Sequence, residues 1–222
     1  MAQTMSLCLS LLRPASRESP RFGYTIVMPF HRLCVFCGSN TGNRSAYRQA
    51  AIRVGTLLAD GGIELIYGGG KVGLMGILAD TVLERGGRVI GVIPDFMIAE
   101  EVAHNGLTEL RIVSSMHERK ALMSDLSDGF LALPGGFGTF EEFCEMVTWS
   151  QLGLQSKPCG LLNVGAYYDP LLELFDHAVR EGFLRQENRR LVLGDTDPVR
   201  LLEKMGNFRT KPVGKWIGRA ER

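Results

Sequence analysis

The sequence predicts an α/β fold, with one doubly wound parallel sheet and helices on both faces. Three observations carry this. Short apolar runs alternate with helix-length amphipathic segments from His31 to Met205. The runs are continuously apolar rather than alternating, as strands covered on both faces must be. Glycine clusters close several runs, at Gly38, Gly68–Gly70 and Gly135–Gly138. Sheets of this kind place ligand-binding loops at those strand ends.

Leu33–Cys37 is the first strand, bounded by Gly38-Ser39-Asn40. Ser45–Ala59 has helical spacing at Ala51, Val54, Leu57 and Leu58, and stops at Gly61-Gly62. Ile63–Tyr67 is the next strand, followed by a helix over Leu74–Arg85 that stops at Gly86-Gly87. Arg88–Ile93 is a strand closed by Pro94, and Leu110–Val113 a short one. Met116–Leu126 reads as a helix with Ser115 and Glu118 in capping-box positions. Gly129–Leu133 is a strand and Phe140–Leu152 a helix. Pro158–Leu162 is a strand, Tyr168–Glu181 a helix and Pro198–Met205 the last helix, ended by Gly206.

The net charge of +1 is unevenly spread. Residues 1–30 carry +2 and 206–222 carry +4, which leaves 31–205 at −5. An acidic body without a basic stripe argues against nucleic acid as the partner. No apolar run approaches the roughly 20 residues needed to cross a bilayer. Five cysteines, an odd number, fit a reducing compartment such as the cytoplasm rather than a disulfide framework. Cys34-x-x-Cys37 lies in a strand, where positions three apart face opposite sides, so the two thiols read as core residues. No His/Cys/carboxylate cluster has metal-ligand spacing. Residues 1–30 carry serines and arginines, show no amphipathic periodicity and have no clear cleavage signal. They read as a disordered or upstream-initiated extension. The predicted organisation is thus 1–30 extension, 31–205 domain and 206–222 basic tail.

The segment Pro134–Glu142, PGGFGTFEE, is the most informative. Three glycines between a strand and a helix can bring backbone amides against a phosphate, and a helix N-terminus adds partial positive charge. With Thr139 as N-cap, Glu142 falls at N3, so Thr139-x-x-Glu142 reads equally as a capping box. Glu142 also shares a face with Met146 and Trp149, which suggests enclosure, whereas Glu141 and Glu145 share a more solvated face. In Ser115-MHERKALM, Arg119 shares a face with Met116 and Met123. It is either a snorkelling residue or an anion clamp beside the glycine loop. Gly68-x-Gly70-x-x-Gly73 matches a dinucleotide fingerprint, with Asp95 near the position of the ribose acid. The match is not on the first strand, and Pro94 disturbs the approach to Asp95. Gly73 and Gly76 read instead as close-packing positions between helix and sheet. Lys71 is no P-loop lysine, because Val72 stands where Ser or Thr is required.

At these residues the chain resembles the LONELY GUY (LOG) family, whose signature PGGxGTxxE is complete at Pro134–Glu142. MHERK at Met116–Lys120, CVFCGSN at Cys34–Asn40, YGGGKVGLMG at Tyr67–Gly76 and GVIP at Gly91–Pro94 also match, within residues 32–205. The resemblance implies a homodimeric Rossmann-like phosphoribohydrolase without metal or cofactor. It would cleave N6-substituted adenosine 5′-monophosphates to free base and ribose 5-phosphate. Arg119 and Glu142 would be the catalytic pair. Gly135, Gly136, Gly138 and Thr139 would hold the phosphate. Gly38, Ser39, Gly68, Gly69 and Gly70 would border the nucleotide, and Met116, Lys120 and Pro134 complete the expected binding set. Met97, Ile98, Met123 and Trp149 are candidates to line a prenyl pocket, though a Met-rich stripe more often packs a core. Two other readings are a general AMP nucleosidase and a nucleotide carrier without turnover. The lysine decarboxylase label often given to relatives does not suit these residues, because no lysine sits in a recognisable Schiff-base context.

Overall fold

Apolar residues at alternate strand positions fill two separate cores, one on each side of a single sheet. The computed structural model describes residues 30–98 and 103–209; expectations for 1–29 and 210–222 lie outside them. The strands are β1 (Arg32–Phe36), β2 (Glu64–Tyr67), β3 (Val89–Pro94), β4 (Glu109–Val113), β5 (Phe130–Ala132), β6 (Cys159–Leu162) and β7 (Val192–Asp195). They form a parallel sheet in the order β4-β3-β2-β1-β5-β6-β7. Along β1, Leu33 and Val35 enter one core, while Cys34 and Phe36 enter the other.

The first core is covered by α1 (Ser45–Asp60), α2 (Gly73–Glu84) and α8 (Pro198–Gly206), through residues such as Val54, Leu78 and Leu202. The second is covered by α4 (Met116–Leu126), α5 (Phe137–Gln151) and α6 (Asp169–Arg180), through Met123, Phe143, Met146 and the half-buried Leu171 and Leu172. Two four-residue helices, α3 (Asp95–Ile98) and α7 (Gln186–Arg189), complete the order. Cys34 and Cys37 are buried free thiols in opposite cores, as the strand period predicts.

Four expectations need correction. β7, α3 and α7 add to the elements read from the sequence. The helix expected at Phe140 starts at Phe137, with Gly136 as its N-cap. Glycine lacks a Cβ to restrict the entry, and helix N-termini tolerate it far better than helix interiors do. Gly206 lies inside the last helix, which Asn207 caps. Ser115 accepts the Glu118 amide at 3.1 Å, but the Glu118 carboxylate turns to the Ser114 amide and hydroxyl instead of closing the box on Ser115.

From β1 the sheet grows through β2, β3 and β4; the chain then returns to place β5 on the other side of β1. At that reversal the C-terminal ends of β1 and β5 lie side by side, the place where sheets of this kind bind ligands.

Candidate active site

The candidate site is built from the loops after β1, β2 and β5 and from helices α4 and α5. The Gly38 amide donates to the Pro134 carbonyl at 3.1 Å and joins the first and last of these loops. A Cβ on Gly135 would lie 2.1 Å from the Thr139 hydroxyl oxygen and 2.8 Å from the Gly38 nitrogen, so packing admits only glycine there. At Gly136 and Gly138 a Cβ would meet nothing within 4 Å. Packing therefore does not require those two glycines, which lie at the N-cap and in the first turn of α5 with open space beside them. The first turn of a helix offers backbone amides without intrahelical partners.

Because α5 begins at Phe137, Thr139 is at N3 and Glu142 lies a further turn inside. The Thr139-x-x-Glu142 capping box is thus absent, and helix stability alone does not account for Glu142. Its carboxylate is buried, as are Phe143 and Met146 beside it, while Trp149 is partly buried.

Arg119 approaches from α4. Its Nε donates to the Val92 carbonyl at 3.1 Å, and its Nη2 stands 3.3 Å from Glu142 Oε1. Nη1 lies 3.7 Å from the Met116 sulfur. Both partners of the pair are buried, with side chains 9% and 11% exposed. A Cβ on Gly68 would come within 2.2 Å of Arg119 Nη2, so the glycine after β2 makes room for the guanidinium. Burial pushes the Glu142 carboxyl above its ordinary range; Arg119 opposes this, and the neighbouring Glu141 adds to it.

The other expected residues fall as follows. Lys120 pairs with Glu141 at 2.5 Å and Glu145 at 3.0 Å, so its ammonium links α4 to α5 on either side of Glu142. Gly69, with a φ of +75°, accepts the His104 amide at 2.9 Å, and Gly70 bridges to Ala103. Ser39 is exposed, and its backbone lies against Gly73, where a Cβ would come 2.2 Å from the Ser39 carbonyl carbon. Gly73 and Gly76 therefore pack against loop backbone, at Ser39 and Lys71, rather than against the sheet. Met123 is buried in the second core, and the partly buried Trp149 packs against that core. His117 is exposed. Among the described residues, no group of His, Cys, Asp and Glu could hold a metal ion, and no helix is long and apolar enough to cross a membrane. Sequence reasoning missed Tyr167 and Tyr168, whose hydroxyls reach the carbonyls of Gly135 and Leu133. The signal was Gly165-Ala166 ahead of two aromatics, which reads as an ordinary loop.

A family model described as "Possible lysine decarboxylase" matches residues 75–205. The chain is 53% identical over 179 residues to "Probable cytokinin riboside 5′-monophosphate phosphoribohydrolase LOGL1" of Oryza sativa subsp. japonica, covering 81% of this chain and 80% of that protein. The chain belongs to the LOG family. A further LOG relative, "Cytokinin riboside 5′-monophosphate phosphoribohydrolase LOG1" of Arabidopsis thaliana, is 46% identical over 81% of this chain and 84% of its own. Among solved structures, the molybdenum cofactor binding protein of Rippkaea orientalis superposes with a TM-score of 0.58 at 20% identity, over 79% of this chain and 95% of that one. At that identity the likeness shows the Rossmann-like fold alone. The decarboxylase description of the LOG model does not fit the site chemistry. Lysine decarboxylation by pyridoxal phosphate needs a lysine free to form a Schiff base, and here Lys120 is held between two carboxylates.

Proposed function

We infer that this chain hydrolyses the N-glycosidic bond of N6-substituted adenosine 5′-monophosphates, yielding the free base and ribose 5-phosphate. The observation that carries this reading is the buried Arg119–Glu142 pair, 3.3 Å apart beside the glycine loop. The LOG relatives at 46–53% identity support it.

The chemistry follows from the residue types. The 5′-phosphate sits on the open amides of the loop Pro134–Thr139 and the N-terminus of α5. The region 31–205 carries −5, so this attraction is local. As the bond from C1′ to the base lengthens, positive charge grows on the sugar, and the Glu142 carboxylate stabilises it. A water molecule adds to C1′; Glu142 accepts one of its protons, and the other stays in the new hydroxyl. The bonding electrons leave with the purine, which then takes up one proton. A carboxyl held above its ordinary pKa is a better base at neutral pH than an exposed glutamate. A guanidinium is a hydrogen-bond donor that does not give up its proton, so Arg119 clamps the nucleotide or steadies the leaving base.

The chain acts as a homodimer in the cytoplasm on this reading. Phe96 on α3, Ile112 on β4, Met116 on α4 and Phe137 on α5 are all exposed, Phe137 at 93%. Exposed apolar groups near a site commonly mark an interface. Four buried or half-buried cysteines are free thiols, which suits a reducing compartment. Light scattering on the purified protein tests the dimer. Incubation with N6-isopentenyl-AMP, AMP and the corresponding riboside, with base release followed by chromatography, tests the activity. Preference for the prenylated monophosphate supports the reading, equal use of AMP makes the chain a general nucleosidase, and tight binding without release makes it a carrier.

A further inference from the structure

Between β6 and α6 the chain passes through two consecutive left-handed residues, Gly165 with φ +59° and Ala166 with φ +64°. Glycine adopts that region freely, but alanine is strained there. Such strain persists only where the surroundings hold it, and it clusters at functional sites. Arg44 donates to the Gly165 carbonyl at 3.1 Å, and the Asn163 side chain accepts the Tyr168 amide at 2.8 Å. Tied on both sides, the turn delivers Tyr167 and Tyr168 to the back of the glycine loop.

There the two hydroxyls and one amide take three successive carbonyls. Tyr168 donates to Leu133 at 2.6 Å, the Gly38 amide to Pro134 at 3.1 Å, and the Tyr167 hydroxyl to Gly135. In a trans peptide the carbonyl and the amide N–H of the same unit point in opposite directions. Fixing the Gly135 carbonyl therefore fixes the Gly136 N–H, and fixing the Pro134 carbonyl fixes the Gly135 N–H. The Leu133 carbonyl shares its peptide with Pro134, which has no N–H to orient. The two tyrosines thus differ in consequence, although both bond the same loop. The Tyr167 ring is packed between Tyr47, at 5.7 Å, and Phe140 of α5, at 6.4 Å.

We propose that Tyr167 is a positioning residue for the phosphate subsite: its hydroxyl sets the peptide that turns the Gly136 amide toward the anion. This rests on the reading that the loop Pro134–Thr139 holds the 5′-phosphate. Tyr167→Phe keeps the ring and removes only the hydroxyl; Tyr168→Phe does the same at the peptide that carries no donor. Each variant is compared with wild type for kcat and KM on N6-isopentenyl-AMP, and for inhibition by ribose 5-phosphate and by free N6-isopentenyladenine.

Tyr167→Phe is expected to raise KM and the ribose 5-phosphate inhibition constant together by about tenfold, the effect of misaligning one hydrogen bond to a charged group. Inhibition by the free base and kcat stay within about twofold. Tyr168→Phe leaves all four constants near wild type. Unchanged ribose 5-phosphate inhibition in a folded Tyr167→Phe protein overturns the proposal while leaving the phosphate reading intact. Equal losses in both variants also overturn it, because they mean general loosening of the loop. A wild-type protein that ribose 5-phosphate does not inhibit, and that does not favour the monophosphate over its riboside, overturns the phosphate reading and the proposal with it.

Discussion

Gly68→Ala is a sharp probe of the guanidinium's position. The backbone at Gly68 does not require glycine, since its φ is not in the left-handed region. The added methyl would nevertheless stand 2.2 Å from Arg119 Nη2, where ordinary contact begins near 3.4 Å. Arg119 must retreat by about 1.2 Å, and its 3.1 Å bond to the Val92 carbonyl and 3.3 Å approach to Glu142 resist this. Overpacking of this kind costs about 1–3 kcal/mol of stability. A displacement of ~1 Å at a catalytic group lowers turnover by roughly 10²-fold, about 2.7 kcal/mol of barrier. The assay is kcat/KM on N6-isopentenyl-AMP, with circular dichroism and urea unfolding to show that the variant is folded. The same substitution made on an Arg119→Ala background should cost no further activity, because both changes strike one group. A folded Gly68→Ala protein with wild-type kcat/KM, or fully additive losses in the double variant, would refute the placement of Arg119.

Burial raises the Glu142 carboxyl above its ordinary value of 4.5, with Arg119 opposing and Glu141 reinforcing. The acid limb of the kcat/KM profile should therefore fall at a pH above the usual glutamate range and be missing from the residual activity of Glu142→Gln. The sign for stability is the reverse. A raised folded-state pKa gives wild type an advantage over Glu142→Gln that is complete below about pH 4.5 and is lost as the pH rises through the raised value; urea midpoints across a pH series read this. Lys120→Met removes an ammonium shared by Glu141 and Glu145; a half-buried pair of this kind predicts a loss of about 1–2 kcal/mol in urea unfolding. Gly138→Ala meets no atom within 4 Å and lies in the first turn of a helix. It should leave the melting temperature unchanged or raised, by up to about 1 kcal/mol of helix propensity, while raising KM for the monophosphate by crowding the open side of the loop.

The central strands were legible because two-sided burial writes them as uninterrupted apolar runs, as in Leu33–Cys37 and Gly129–Leu133. β7 was not legible because among the described residues it is an edge strand paired with β6 alone, and its four residues are all merely half-buried. Four-residue helices such as α3 and α7 are too short to show a period. Arg119 and Glu142 stood out in the sequence as residue types, but whether Glu142 was a cap turned on where α5 begins. A threonine three residues before a glutamate looks like an N-cap, and only the backbone shows Gly136 in that place. Gly68 makes the same point, since its need for glycine comes from a guanidinium 51 positions away in the chain. Tyr167 and Tyr168 act through hydroxyls on backbone carbonyls some thirty residues away, contacts that leave no local pattern.

The most direct test of the proposed catalytic pair is the release of ribose 5-phosphate from N6-isopentenyl-AMP by wild type and by Glu142→Gln, at neutral pH and matched concentration. The account predicts stoichiometric base and sugar phosphate from the wild type and a loss of at least about 10³-fold in a folded Glu142→Gln protein, comparable to removing a principal charge-stabilising group. Wild-type turnover by Glu142→Gln, or no bond cleavage by the native chain, would contradict it.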